Sequence, residues 1–126
     1  GFMRILSAQF VAAWEGKMVN IHPSLLPNYK GMHTHQRVLN TGDVLHGCTV
    51  HYVTAELDAG QALTQGVLQV NQHDTVTSLA NRVHVLEHLI YPQAVEWICN
   101  GTIVHTDQGV LFKGQSLNAP VQFCKI

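Results

Sequence analysis

The chain has 126 residues, 46% hydrophobic and 12% charged, which is enough apolar material for one core and too little length for two comfortable domains. Its net charge of -1 gives no general attraction to nucleic acid or to an anionic membrane surface. No apolar run reaches the roughly 18 residues that cross a bilayer, and Cys48, Cys99 and Cys124 make neither a metal-ligand pattern nor a complete disulfide framework; reduced thiols, a cytoplasmic location and no signal peptide are expected.

Along the chain, Gly1-Phe2-Met3-Arg4-Ile5-Leu6 is apolar enough to be the end of a central strand. Ser7 is suited to cap a short helix reaching about Trp14, which Gly16 ends. Residues 18–21 read as a short buried strand on which Asn20 and His22, two positions apart, project from the same face. Pro23 cannot donate to a sheet ladder, so the strand stops there and leaves both polar side chains at its lip, where open α/β sheets bind ligands. A strand ending in a turn, with His22 satisfied locally, fits the same residues.

Residues 23–31 form a proline-bearing loop and residues 35–40 a brief helix ending before Gly42. Residues 49–53 alternate as a strand and run into a loop with Glu56, Asp58 and Gly60. Asp58 fits either an ordinary turn or a carboxylate that orients an imidazole, and spacing alone does not bring it to His22. Residues 66–70 make the next strand. Thr75 caps the longest helix, reaching about Cys99, with Leu79, Val83, Leu86, Ile90, Ala94 and Ile98 at helical intervals and Asn100-Gly101 as its stop. Residues 103–105 and 110–112 form a hairpin. The alternation implies an α/β fold.

Nine histidines are the other unusual feature. His84-Val85-Leu86-Glu87-His88 has the H-x-x-E-H form of inverted zinc peptidases, and histidines at i and i+4 could share a metal; no third ligand is indicated and Leu86 belongs to the core stripe, so no metal is expected. His33-Thr34-His35 is expected to be mobile and polar, and His46, His73 and His105 to lie at the surface. His51, inside a strand, reads as a half-buried, satisfied imidazole. Asn100-Gly101-Thr102 is a glycosylation sequon that helix termination already explains, and Lys30 and Arg37 read as solvated charges.

Phe2-Met3-Arg4-Ile5-Leu6-Ser7, Asn20-Ile21-His22-Pro23-Ser24-Leu25-Leu26-Pro27, Lys30-Gly31-Met32-His33-Thr34-His35, Val50-His51-Tyr52-Val53-Thr54, Glu56-Leu57-Asp58-Ala59-Gly60 and Glu87-His88-Leu89-Ile90-Tyr91-Pro92 resemble phosphoribosylglycinamide formyltransferase, in its bacterial form. The resemblance extends from Gly1 to about Gly101, in the family's order, and weakens in the tail. It implies transfer of a formyl group from the cosubstrate 10-formyltetrahydrofolate to the amine of glycinamide ribonucleotide, without a metal. It implies catalytic roles for Asn20, His22 and Asp58, and folate contacts from Met3, Arg4, Ile5, Leu6 and Asn20 and from Thr54, Ala55, Glu56, Leu57 and Asp58. Ribonucleotide contacts fall on His84, Val85, Leu86 and Glu87, with Glu87 the specific match, and His51 neighbours the active site.

By the same resemblance, residues 1–126 are one portion of a single catalytic domain with a Rossmann-like formyltransferase fold. The family's N-terminal nucleotide-binding part, with its glycine-rich phosphate loop, is expected to be absent, leaving the sheet incomplete and an edge open to self-association. Three other readings remain. Formyltetrahydrofolate hydrolase uses the same asparagine, histidine and aspartate but passes the formyl group to water. Methionyl-tRNA formyltransferase shares Ser24-Leu25-Leu26-Pro27 but needs a basic RNA surface. The chain could also be an inactive folding or interaction module.

Overall fold

The computed structural model describes residues 7–125. The expected strand at residues 1–6, with the folate candidates Met3, Arg4, Ile5 and Leu6, lies outside the described residues. From Ser7, whose hydroxyl accepts the Phe10 N–H at 3.1 Å, the chain forms α1 (Ala8–Ala13), β1 (Val19–His22), α2 (Thr34–Thr41), β2 (Leu45–Tyr52), β3 (Ala62–Gln69), α3 (Val76–Cys99), β4 (Ile103–Thr106), β5 (Gly109–Phe112), β6 (Gln115–Ser116) and β7 (Val121–Lys125).

The main sheet has the order β1-β2-β3-β7. β1 with β2 and β2 with β3 are antiparallel, and only β7 lies parallel to its neighbour, β3. The wholly parallel sheet typical of doubly wound folds is therefore not what these residues build; the fold is α/β with a mixed sheet. β4, β5 and β6 form a separate three-stranded antiparallel sheet. Its first hairpin is the one expected from sequence, whereas β6 and β7 carry too few regularly spaced apolar residues to announce themselves. β2 and β3 both begin earlier than the sequence suggests, because pairing with each other recruits polar residues such as His46, Thr64 and Gln65 into the ladder.

α3 packs its apolar stripe on β2 and β3. Leu79, Val83, Leu86, Ile90 and Ala94 are buried against Cys48, Val50, Tyr52, Leu63 and Leu68. Gly66 allows the close approach, since a Cβ there would stand 2.8 Å from Leu86 Cβ. Pro92 lies inside the helix and has no N–H for the His88 carbonyl, yet buried Ile90 and Ala94 hold the helix on both sides of it. The helix starts with a capping box in which Thr75 Oγ1 accepts the Ser78 N–H at 3.1 Å and Ser78 Oγ accepts the Thr75 N–H at 2.8 Å. Thr75→Ala is expected to lower unfolding stability by about 1 kcal/mol, read from the urea midpoint at unchanged slope.

Several sequence readings change here. Thr34 and His35 open α2 instead of belonging to a mobile loop, with Thr34 buried and its hydroxyl donating to the Pro23 carbonyl at 2.6 Å. Arg37 is not a free solvated charge, because its guanidinium donates to the carbonyls of Lys30 at 2.7 Å and Met32 at 3.2 Å and so ties down the loop before the helix. His46 is not at the surface: it is 1% exposed, with Nε2 2.9 Å from His35 Nδ1. His105 is exposed, but its ring meets Tyr52 edge-on at 5.1 Å. Asn100 Oδ1 accepts the N–H and the hydroxyl of Thr102, so the sequon residues close the helix end, as expected.

Burial pushes the His46 pKa down to about 4, with neighbouring His35 adding to the effect and Asp43 opposing it. A histidine held neutral in the fold binds its proton more readily when unfolded, so its contribution is present above pH 6.5 and is lost as pH falls toward 4. The two pKa values set this contribution at about 3 kcal/mol at most. Unfolding stability measured across that window should fall more steeply in the native protein than in His46→Gln.

Candidate active site

Antiparallel pairing of β1 with β2 sets the site. Asn20 lies opposite His51, and His22 opposite Thr49, so the four side chains share one face of the sheet. Val50 and Tyr52 alternate to the other face and enter the core beneath α3. The β2–β3 register shifts between Val50 and His51, a local irregularity beside the site that re-aims the strand.

The loop after β2 turns back over this face. Gly60 lies so close to the Tyr52 carbonyl that a Cβ there would collide with it, and Tyr52 N–H bonds the Gln61 carbonyl at 3.0 Å. The loop reverses at Asp58, which has φ 51, a left-handed conformation that aspartate tolerates better than most residues. Its carboxylate is directed inward and its side chain is only 7% exposed. Asp58 Oδ2 accepts the Gly31 N–H at 2.9 Å and stands 3.5 Å from His22 Nδ1, while Oδ1 is 3.9 Å from His51 Nε2. The structure thus brings Asp58 to both imidazoles, which sequence spacing left open.

His22 is buried and makes a second contact, Nε2 donating to the Tyr29 carbonyl at 2.9 Å. When the ring is protonated, one N–H is directed at a backbone carbonyl and the other at a carboxylate. Both ring nitrogens of His22 thus face fixed oxygen acceptors, which hold the orientation of the ring. His51 differs. Its Nδ1 donates to the Tyr52 carbonyl at 3.0 Å, and burial lowers its pKa, opposed by that bond and by Asp58. It is therefore neutral at pH 7, and its bare Nε2 is a buried acceptor with no hydrogen-bond partner among the described residues. Satisfied only on one side, it departs from the fully satisfied imidazole that strand placement suggested.

Residues that the sequence did not single out fix this geometry. Thr49 Oγ1 donates to the Ser24 carbonyl at 2.7 Å and accepts the Leu26 N–H at 3.1 Å. Gln65 Nε2 donates to the Leu26 carbonyl and to Thr49 Oγ1, each at 3.0 Å. Buried Ser24 bonds the Asn28 carbonyl at 2.6 Å. This network clamps the loop after His22 onto β2 and β3. The available signal was Gln65, a polar residue in the middle of an apolar strand, where a buried amide needs partners.

Thr54, Ala55, Glu56 and Leu57 line the outside of the Asp58 loop; Glu56 and Leu57 are exposed, and the Thr54 hydroxyl donates to the Glu56 carbonyl at 3.2 Å. The four ribonucleotide candidates on α3 divide by helix face. Leu86 is buried in the core, His84 and Val85 are exposed, and Glu87 is half-buried with Oε2 3.0 Å from His84 Nδ1. No group of three or more His, Cys, Asp or Glu side chains is placed to hold a metal ion among the described residues.

The chain is similar to proteins of known name. The chain is 44% identical over 117 residues to the phosphoribosylglycinamide formyltransferase of Escherichia coli strain K12, covering 93% of the chain and 55% of that protein. It is 49% identical over 109 residues to the human trifunctional purine biosynthetic protein adenosine-3, covering 86% of the chain and 11% of that protein. The solved phosphoribosylglycinamide formyltransferase of Coxiella burnetii superimposes with a TM-score of 0.92 at 44% identity, over 98% of this chain and 58% of that one. The chain thus spans little more than half the length of the bacterial relatives it matches. Residues 1–95 fit the family model described as formyl transferase, and the chain belongs to that family.

Proposed function

We propose that the protein carrying this chain transfers a formyl group from 10-formyltetrahydrofolate to the primary amine of glycinamide ribonucleotide, a cytoplasmic step of purine synthesis, with residues 1–126 forming part of its catalytic domain. The observation that carries this reading is the convergence of Asn20, His22 and His51 on one sheet face, with Asp58 folded back to within 3.5 Å of His22. Two imidazoles around one carboxylate, with an amide on the same sheet face, suit acyl transfer.

The amine nitrogen attacks the formyl carbon, forming the new C–N bond and placing negative charge on the formyl oxygen. Collapse breaks the bond from that carbon to the folate nitrogen, and the proton lost by the amine ends on that nitrogen. Asn20 donates its amide hydrogen to the developing oxyanion, and protonated His22 adds charge stabilisation. His22 also passes the proton between the two nitrogens once its Nε2 turns from the Tyr29 carbonyl to the substrate. Asp58, anchored by the Gly31 N–H, orients and neutralises His22. The free Nε2 of His51 accepts a hydrogen bond from a water or from the attacking amine.

In this reading Thr54, Ala55, Glu56, Leu57 and Asp58 border the folate, together with Asn20 and with Met3, Arg4, Ile5 and Leu6. Glu87 recognises the ribonucleotide alongside His84 and Val85, and Leu86 acts through packing. A folate analogue added to the protein should slow amide hydrogen exchange in both segments 18–22 and 54–60. Protection of one segment without the other would contradict a shared pocket.

A further inference from the structure

α3 carries a histidine pair that takes no part in the bond-making steps, although the proposed function sets its first member beside the ribonucleotide. His84 and His88 lie one turn apart, with Nε2 atoms 3.0 Å from each other and ring planes at 85°. Both residues are exposed, the His84 side chain 66% so. Two imidazole nitrogens bound to one divalent transition ion at about 2.0–2.1 Å each stand about 2.9–3.4 Å apart when they meet at angles between square and tetrahedral. The observed separation falls in that span, so an ion can enter between the rings without a change in the helix.

The tautomers favour the same outcome. Glu87 Oε2 is 3.0 Å from His84 Nδ1, and a carboxylate accepts, so that nitrogen carries the hydrogen and His84 Nε2 is a bare lone pair. A carboxylate behind the remote nitrogen of a histidine is the partner that orients metal-ligating imidazoles and raises their basicity. His88 Nε2 faces His84 Nε2 and donates to it in the unliganded pair. Moving that proton to His88 Nδ1 yields the second lone pair without creating charge. We propose that His84 and His88 chelate a divalent, imidazole-preferring transition ion such as Ni²⁺, Cu²⁺ or Zn²⁺ on the outer face of α3, with Glu87 holding His84 in the binding tautomer. No third His, Cys, Asp or Glu ligand joins them among the described residues, so water completes the coordination and the ion exchanges freely. The site does not depend on the formyl-transfer reading.

Calorimetric titration of the folded protein with NiCl₂ in a non-chelating buffer tests the site. One equivalent is expected to bind with micromolar affinity. His84→Ala and His88→Ala should each raise Kd at least tenfold, and Glu87→Gln severalfold, whereas His73→Ala, an exposed histidine elsewhere, should leave it unchanged. All of these but Glu87 are exposed positions, and circular dichroism verifies that the variants fold. An unchanged Kd in either histidine variant, or an equal loss in His73→Ala, overturns the proposal.

Discussion

His22→Ala in the protein carrying this chain is expected to lower the rate of formyl transfer by roughly 10²–10⁴-fold, the usual yield of a positioned acid–base group. The ring is buried and bonds the Tyr29 carbonyl, so its loss also costs stability, on the order of 1–2 kcal/mol. Asp58→Asn separates the two effects. The amide oxygen still accepts the Gly31 N–H and the side-chain shape is kept, while the negative charge facing His22 is removed. Turnover should therefore fall at least tenfold with a melting temperature close to native. Single-turnover kinetics beside a thermal scan measures both quantities. Full-rate catalysis by Asp58→Asn would remove Asp58 from the chemistry.

Leu86→Ala should have the largest effect on stability, about 2–5 kcal/mol. Leu86 is 1% exposed and packs where Gly66 allows α3 to approach β3, so truncation opens a cavity that the rigid sheet cannot fill. For a chain of this length the melting temperature should drop by roughly 10 °C. Glu87→Ala, one position along, should leave the melting transition nearly native and weaken the apparent affinity for the ribonucleotide. That contrast would assign Leu86 to packing and Glu87 to recognition, although both belong to one sequence segment.

The helices were the most legible part of the fold. Ser7, Thr75, Gly42 and the stop at Asn100-Gly101 mark their ends through local hydrogen bonding, and the stripe of α3 fixes which face is buried. Strand direction was not legible, because period-two alternation is the same in parallel and antiparallel ladders. Asn20 and His22 shared a face as their spacing required, but Asp58 reached His22 and His51 through a left-handed turn and a glycine contact that no pattern encodes. His46 was misread for a physical reason: a polar residue beside a glycine reads as surface until a second imidazole, His35, supplies its buried partner. The clamp formed by Thr49 and Gln65 joins segments distant in sequence and becomes visible only once β2 and β3 are paired.

The most direct test of formyl transfer at this site is the fate of the formyl carbon. The protein would be given 10-formyltetrahydrofolate isotopically labelled at that carbon, together with glycinamide ribonucleotide, and the products followed by carbon NMR. The label should move into a new formamide on the ribonucleotide amine in step with the appearance of tetrahydrofolate, and the transfer should collapse in His22→Ala. Label released as free formate while the ribonucleotide stays unmodified would contradict it and assign the site to hydrolysis.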